Sequence, residues 1–250
     1  MDAKKGSVTI EQAAGRGGEG AEAQTYALAP KAEIAIDDGR GRRFSIKEAT
    51  LPDIAEGAIV TCALSLDKKQ IQALVAEGPG FQGVIKGVDA AKKSVTIATP
   101  PGRGGDAEEK TLFVSVEATV VVDDGKGRRL SVKEAKLTDL PIGAHASVKM
   151  APDGSFVMFL KAEGPSLIGM LKGVDAAKGT LVLAIPRGRD DAEEKTVTVA
   201  KGARIIIDGV ESTLGNLKVG DEGPIVQVRF GLDGSTAWTI FARRGGGRER

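Results

Sequence analysis

Two aspartates followed by a glycine occur at 37–39 and again at 123–125, and they are the first residues in this chain that could hold a ligand. Clustered carboxylates bind hard cations such as calcium. Each pair supplies only two carboxylates, and neither continues into the longer acidic pattern of a calcium loop. Because Asp can hydrogen-bond its own backbone and Gly accepts a positive φ, both segments are predicted to be tight turns, with no metal ligand.

Basic residues follow each of these turns and could contact phosphates. The candidates for nucleic-acid or anion contact are Arg40, Arg42, Arg43, Lys126, Arg128 and Arg129. A protein that binds single strands also needs exposed aromatic side chains for base stacking. Only Phe44 lies beside these residues, and the neighbouring aspartates offset their charge. The pattern favours solvated loops, with nucleic-acid contact as the second interpretation.

His145 is the only histidine and Cys62 the only cysteine. Without a second His or Cys near either residue, neither a metal site nor a Ser-His-Asp arrangement has its parts. Cys62 is expected to be a small buried apolar residue, and an intrachain disulfide is impossible. We therefore expect no catalytic residue, no metal and no cofactor, and the chain is predicted not to be an enzyme.

The elements that carry these residues are repeated. Asp2, Asp89 and Asp175 each begin a turn that leads into a strand, and they recur at intervals of roughly 86 residues. Later landmarks keep the same order, including Leu-Pro-Asp-Ile at 51–54 and Leu-Thr-Asp-Leu at 137–140. Such agreement indicates three tandem copies of one unit. The opening strand of the second and third copies has no counterpart in the first, where Met1 takes the place of Val88.

Each copy contains six or seven short strands separated by turns. Aromatic residues are only 4% of the chain, so the cores must be built from Val, Ile, Leu and Ala. Alternating runs with frequent turn residues, and no helix beyond single turns, predict an all-β fold of three small barrels or sandwiches. Strands are predicted at 25–28 and 32–36, separated at Pro30.

The predicted domains are a first β-repeat unit at 1–82, which lacks its first strand, a second at 83–168 and a third at 169–243. A flexible basic tail is predicted at 244–250. The segment Gly78-Pro79-Gly80 is predicted to be a linker. The missing strand leaves two interpretations open: the chain is a piece of a longer protein, which we favour, or one terminal unit has an open edge.

The repeated unit resembles the tandem small β-domains of planctomycete bacterial proteins, which are OB-like or SH3-like barrels. The segments that carry the resemblance are 83–89 (Gly-Val-Ile-Lys-Gly-Val-Asp), 122–125 (Val-Asp-Asp-Gly), 137–143 (Leu-Thr-Asp-Leu-Pro-Ile-Gly) and 160–165 (Leu-Lys-Ala-Glu-Gly-Pro). The resemblance covers all three units. It implies a fold and no defined activity.

Charge and hydropathy further limit the classes of function that fit this sequence. The net charge of +1 provides no long-range field to attract a polyanion. No apolar run approaches the roughly 18 residues needed to cross a bilayer, and residues 1–6 do not resemble a secretory signal, so the default expectation is a cytoplasmic chain. We expect a non-enzymatic structural or protein-interaction module, such as a spacer or scaffold in a larger bacterial protein. It would bind a partner or itself through edge strands. The alternative is an OB-like nucleic-acid-binding array.

Overall fold

A computed structural model of the chain describes residues 5–11, 23–40, 45–100, 107–127, 131–187, 191–219 and 223–243. Within these ranges the fold is all β, and the only helical elements are three single-turn 3-10 helices. The predictions of an all-β class, of repeated β-rich parts and of helix limited to single turns are therefore confirmed. The predicted tail at 244–250 lies outside the described residues.

The first sheet has five strands. They are β1 (Ser7–Ile10), β2 (Gln24–Asp37), β3 (Ile46–Glu48), β4 (Ile59–Leu64) and β5 (Gln70–Glu77), with the 3-10 helix η1 (Leu51–Asp53) between β3 and β4. The order is β1-β2-β5-β4, and β3 also pairs with β2. β2 and β5 are parallel, and the other pairs are antiparallel. Among the described strands, β1 and β4 are the two ends of this path.

β2 continues through Pro30, so the prediction of two strands separated there is wrong. The pairing of β2 with β5 shifts in register between Leu28 and Glu33, and Pro30 lies within that shift. Because proline has no N–H to donate, it is tolerated at such an irregularity and not within a regular ladder. The local sequence therefore marks the irregularity, and pairing with β5 keeps the strand continuous.

The second sheet has six strands and begins with a strand that has no counterpart among the described strands of the first. The strands are β6 (Gly80–Asp89), β7 (Ser94–Thr99), β8 (Glu108–Asp123), β9 (Val132–Glu134), β10 (His145–Met150) and β11 (Val157–Glu163), with the 3-10 helix η2 (Leu137–Asp139) before β10. Their order is β11-β10-β6-β7-β8-β9. An additional pairing joins β11 to β8.

The third sheet repeats this arrangement. Its strands are β12 (Ser166–Asp175), β13 (Thr180–Pro186), β14 (Ala192–Ile207), β15 (Val210–Ser212), β16 (Ile225–Phe230) and β17 (Thr236–Arg243), with the 3-10 helix η3 (Leu214–Asn216) before β16. Their order is β13-β12-β16-β17-β14-β15, and β13 also pairs with β14. The pairings therefore close into a ring of β12, β13, β14, β17 and β16. Only the β14–β17 pair is parallel within that ring.

Two of the three single-turn helices, η1 and η2, share the sequence Leu-x-Asp. In η1 the Asp53 carboxylate accepts a hydrogen bond from the backbone N–H of Thr50 at 2.8 Å. In η2 Asp139 accepts the equivalent bond from Lys136 at 2.9 Å. A carboxylate three residues ahead satisfies an N–H that has no partner within the turn. The Asp that ends each of these turns therefore also caps its beginning.

The cores consist of aliphatic side chains, as the scarcity of aromatic residues predicts. The buried core of the third sheet contains Leu171, Leu181, Leu183, Val197, Ile205, Leu217, Val226, Val228, Phe230, Ala237, Ile240 and Ala242. That of the first sheet contains only Val8, Leu51, Ile54, Ile71, Leu74 and Ala76. The first core is smaller because several of its apolar side chains are only half-buried.

By compactness the chain divides into two units. The first comprises Met1–Phe81, Leu112–Thr119 and Val148–Leu160, and the second comprises Gln82–Thr111, Val120–Ser147 and Lys161–Arg250. The division passes through the second predicted repeat. In the described part of the chain, no helix has both the length and the apolar character that crossing a membrane would require.

Candidate functional site

Arg40 is one of the six residues predicted to contact nucleic acid or an anion. Its guanidinium forms an ion pair with Asp38 at 3.4 Å and another with Glu117. Two carboxylates therefore offset its charge within the first compact unit. Arg42 and Arg43 lie outside the described residues.

Lys126 is the described basic residue of the second set. Its ammonium lies 3.4 Å from Asp124 and 4.8 Å from the centroid of the Trp238 ring, so it is held by a carboxylate and by a cation–π contact. Trp238 is half-buried by this packing. Arg128 and Arg129 lie outside the described residues.

The paired aspartates act as turn residues, as their sequence predicts. Asp37 accepts a hydrogen bond from the backbone N–H of Gly39 at 3.0 Å, and Asp123 accepts the equivalent bond from Gly125 at 3.1 Å. Both glycines have a positive φ, at 79° and 77°. Among the described residues, no three side chains of the His, Cys, Asp and Glu types group as a metal site would require.

Lys149, Asp37 and Glu77 form a partly buried cluster of ion pairs. These residues are far apart in the sequence, which gives no reason to expect the contact. The Lys149 ammonium lies 2.6 Å from the Asp37 carboxylate and 2.9 Å from Glu77. Burial opposes the charge of Asp37, but the hydrogen bonds from Lys149 and Gly39 outweigh it and hold the pKa of Asp37 below its ordinary value. Burial likewise opposes the charge of Lys149, and its two carboxylate partners outweigh burial and raise its pKa.

The second sheet contains a similar cluster. Lys161 lies 3.2 Å from Asp123 and 2.6 Å from Glu163. These carboxylates line a shallow cleft of about 170 Å³ together with the exposed His145. Because Lys161 engages both carboxylates, the cleft offers His145 no free acid–base partner among them. The two clusters are best explained as structural ion pairs.

Gly78-Pro79-Gly80, which the sequence predicts to be a linker, is hydrogen-bonded to a strand, and so is the equivalent segment at Pro165. The carbonyl of Pro79 accepts a hydrogen bond from the N–H of Met150 at 2.9 Å, and the carbonyl of Pro165 accepts one from Phe230 at 3.0 Å. A Cβ at Gly78 would collide with the carbonyl of Met150. The linker interpretation is therefore wrong, because the backbone at this place packs too closely for a free segment.

The strand edges of the first sheet are the feature that distinguishes it from the others. In the third sheet, β12 pairs with β13 on one side and with β16 on the other. The counterparts of β13 and β16 in the first sheet are β1 and β4. No described strand lies between them. β1 and β4 therefore each have one edge without a strand partner among the described residues.

Burial at β4 shows the consequence of this gap. Its inward side chains Val60, Cys62 and Leu64 are only half-buried. The counterparts in β10 and β16 are all buried, namely Ala146, Val148, Met150, Val226, Val228 and Phe230. Burial of Cys62 is nevertheless enough to raise the pKa of its thiol, so the thiol is a poor nucleophile near neutral pH.

β1, on the other side of the gap, also has an inward side chain that is incompletely buried. Ile10 is half-buried, whereas its counterparts Ile97 and Leu183 have no exposed surface. Inward-facing apolar surface that is still exposed to solvent would gain favourable free energy if a binding partner covered it. The gap between β1 and β4 is therefore lined by apolar side chains and by unpaired strand edges. Sequence comparison predicts that the first unit lacks a strand here, and it did not identify the half-buried side chains beside that position.

Two free strand edges and an apolar lining are suited to binding an extended polypeptide. Backbone N–H and C=O groups at an edge provide affinity, and pockets for alternate side chains provide selectivity. Such a site needs no ionised group and no cofactor. No protein-family model and no curated protein matches this chain.

Proposed function

We propose that this chain is a non-enzymatic protein-interaction module that binds an extended polypeptide by strand addition between β1 and β4. The observation that carries the proposal is the half-burial of Val60, Cys62 and Leu64, whose counterparts in the other two sheets are buried. An added strand would bury this surface and would pair the free backbone groups. The second and third sheets then act as the scaffold that presents the first.

The proposal extends to the fold. In each six-stranded sheet, five strands form a small barrel with OB-like connectivity, similar to the planctomycete β-domains. The ring of pairings in the third sheet, with its one parallel pair between β14 and β17, supports this. The competing arrangement is a β-solenoid, in which each repeat depends on its neighbours. Unfolding of the excised segment 166–243 distinguishes them, because a closed barrel unfolds cooperatively alone and a solenoid repeat does not.

A non-enzymatic role fits the ion pairing of the charged residues. The described lysines at the centre of each cluster, Lys149 and Lys161, are each held by two carboxylates. Groups engaged in this way stabilise packing and are not available for proton transfer. Self-association through the same edges is a second way in which the module could act, and it uses the same contacts.

The experiment is a selection of extended peptides from a displayed library with the intact chain as target. We expect alternating apolar peptides that bind the wild type and lose at least tenfold in affinity with Cys62→Lys, because an inward-pointing charge blocks strand addition. Thr61→Lys is the matched control. It adds the same charge to the exposed face of the same strand. Peptides that bind both variants equally, or a selection that yields none, would contradict the proposal.

The alternative function is binding of single-stranded nucleic acid through the loops that begin at Arg40 and Lys126. Retention of the chain on immobilised single-stranded DNA at low salt tests it, since phosphate contacts weaken steeply as salt rises. The ion pairs of both residues with carboxylates weigh against it. We expect no retention at about 50 mM salt. Retention at about 50 mM salt that disappears by about 200 mM salt would favour the alternative.

A further inference from the structure

We infer that the outer face of the third sheet binds an acidic polypeptide segment that carries apolar side chains. Three large apolar side chains on this face are exposed, namely Ile168 at 56%, Met170 at 41% and Ile225 at 56%. Met170 pairs with Ile225 across the β12–β16 ladder, and Ile168 points to the same face two residues earlier. The three side chains form one contiguous group, which we call the apolar patch. Contiguous exposed apolar surface marks a binding site, and this surface is distinct from the strand edges of the first sheet.

The second sheet shows that the fold does not require apolar residues at these positions. β6 and β12 have the same length, and so do β10 and β16. Gln82 is the third residue of β6, as Ile168 is of β12, and His145 begins β10 as Ile225 begins β16. Gln82 and His145 are both exposed. Polar residues therefore serve the fold equally well here, and the apolar patch is better explained by a partner that covers it.

The charges beside the apolar patch are all positive. Lys172 follows Met170 by two residues on β12, and Arg243 pairs with Ile225 across the β16–β17 ladder. The strand segments 166–172, 225–230 and 241–243 contain no acidic residue. Within the described part of the chain, neither Lys172 nor Arg243 forms an ion pair. Unpaired cations next to exposed apolar surface are complementary to carboxylates on an apolar partner.

Arg229 and Phe241 extend this surface across β16 to β17. Phe241 pairs with Gln227, which in turn pairs with Ile168 on β12. The guanidinium carbon of Arg229 lies 5.8 Å from the centroid of the Phe241 ring. An arginine stacked on an aromatic ring is held in place while its N–H groups remain able to bind a carboxylate in bidentate geometry. The apolar patch thus has a positive charge at each end, from Arg229 at one and from Lys172 and Arg243 at the other.

The arrangement favours an acidic polypeptide over three other occupants. A second copy bound through the same face would bring like charges together, because a two-fold contact uses one patch on both partners. Sites for anionic lipid are typically built from about four to eight basic residues, and this face has three. Single-stranded nucleic acid needs exposed aromatic rings for stacking, whereas Phe241 is half-buried and lies under Arg229.

The register also predicts the pattern of the partner. Side chains that are directly opposite in an antiparallel pair lie about 5 Å apart. Arg243 and Ile225 are such a pair. A partner carboxylate bound by Arg243 therefore lies beside the apolar side chain that covers Ile225. We expect binding segments in which Asp or Glu stands next to aliphatic or aromatic residues.

The test is a selection of short random peptides from a displayed library with the intact chain as target. The first variant combines Ile168→Gln and Ile225→His, the residues that the second sheet carries at these positions. It should fold, with Tm within about 4 °C of the wild type. We expect selected peptides enriched in acidic and apolar residues, which lose about tenfold or more in affinity with this variant.

A charge reversal tests the cations separately from the apolar patch. Arg243→Glu should weaken the same peptides by about tenfold or more, and a peptide with its critical acidic residue changed to Lys should recover that loss. Lys201→Glu is the matched control, since Lys201 is exposed on β14 and the change in charge is identical. It should alter affinity less than twofold. Selected peptides without acidic enrichment, or equal binding to wild type and Arg243→Glu, would overturn the inference.

The other occupants give distinct results. A dimer in sedimentation that dissociates with Ile168→Gln and Ile225→His would assign the face to a second copy and overturn the acidic partner. Binding to vesicles of anionic phospholipid that is lost with Arg243→Glu would do the same in favour of a membrane surface. Cys62→Lys should leave the affinity of the acidic peptides unchanged, so that failure at this face and failure of strand addition at β4 are distinguishable. Acidic peptides that respond to Cys62→Lys and not to Arg243→Glu would place their site in the first sheet and overturn the inference.

Discussion

Cys62 in β4 and Val228 in β16 occupy equivalent positions in their sheets, yet Cys62 is half-buried and Val228 has no exposed surface. Each pairs with an inward residue of the following strand, Leu74 and Ile240 respectively. The difference lies on the other side, where β12 covers Val228 and no strand of the described residues lies beside Cys62. One missing strand therefore accounts for the different burial of two equivalent side chains.

Thiol reactivity should reflect this difference. In the native chain Cys62 should be alkylated at least tenfold faster than a cysteine introduced by Val228→Cys in a Cys62→Ala background. The reason is that access to a fully buried thiol requires opening of the sheet. Mass spectrometry after timed alkylation measures both rates, and equal rates would show that the edge of β4 is covered.

The pH dependence of the same reaction is a second prediction. Burial raises the pKa of Cys62 above its ordinary value of 9.0, and the thiolate is the reactive form. The alkylation rate should therefore still be rising at pH 9. A rate that levels off below pH 9 would mean that the thiol is not desolvated. A free cysteine in the same buffer is the control for intrinsic reactivity.

Lys149→Met should destabilise the fold by about 1 kcal/mol, because it removes a partly buried ion pair with Asp37 and leaves that carboxylate without its partner. Lys47→Met is the matched control, since Lys47 is mostly exposed and its contact with Asp38 is longer, at 3.5 Å. That change should cost less than about 0.5 kcal/mol. Urea denaturation at pH 7 measures both.

The stabilisation by Lys149 should depend on pH at both extremes. The pKa of Asp37 is lowered, so its contribution is complete above the unfolded pKa of about 3.9 and is lost as pH falls through the lower folded value. The pKa of Lys149 is raised above 10.5, so its contribution is present below that pH and is lost as pH rises through the folded value. The stability difference between wild type and Lys149→Met should thus be constant from about pH 5 to 10. A difference that grows toward low pH would contradict this.

Gly125→Ala should lower the free energy of unfolding by more than the strain of a positive φ alone explains. A Cβ at Gly125 would lie 2.5 Å from the carbonyl oxygen of Phe230, and its φ is 77°. Gly57 has a similar φ of 82° with open space around it, so Gly57→Ala isolates the backbone cost of about 1 kcal/mol. We expect at least twice that loss for Gly125→Ala. Similar losses would indicate that the backbone around Phe230 moves aside.

Thr239→Val should destabilise the third sheet by about 1–2 kcal/mol, because it removes a donor from a buried acceptor. Thr239 is fully buried, and its hydroxyl donates to the carbonyl oxygen of Gly125 at 2.7 Å. Thr198 is exposed in the neighbouring strand, and Thr198→Val should change stability by less than about 0.5 kcal/mol. Fluorescence of Trp238, the only tryptophan, monitors unfolding of this sheet. Equal effects of the two changes would exclude a structural role for the hydroxyl.

The repeat, the all-β class and the turns can all be predicted from the sequence alone. These features depend on residues close in the chain. Asp37 accepts a bond from the backbone two residues ahead, and Asp53 accepts one from three residues behind. Turn chemistry of this kind is readable wherever Asp and Gly stand at the required spacing. Comparison of the three copies also predicts which strand the first copy lacks.

Strand pairing, the ion pairs between distant residues and the exposure of apolar side chains depend on the tertiary structure. Lys149 reaches Asp37 across 112 positions of sequence, and nothing local to either residue indicates the contact. Pro30 lies within a continuous strand because pairing with β5 tolerates a register shift there. In sequence Cys62 resembles any buried strand residue, and it is partly exposed because no strand in the described part of the chain pairs with the outer edge of β4. Burial depends on what packs against a residue, and that is a property of the assembled sheet.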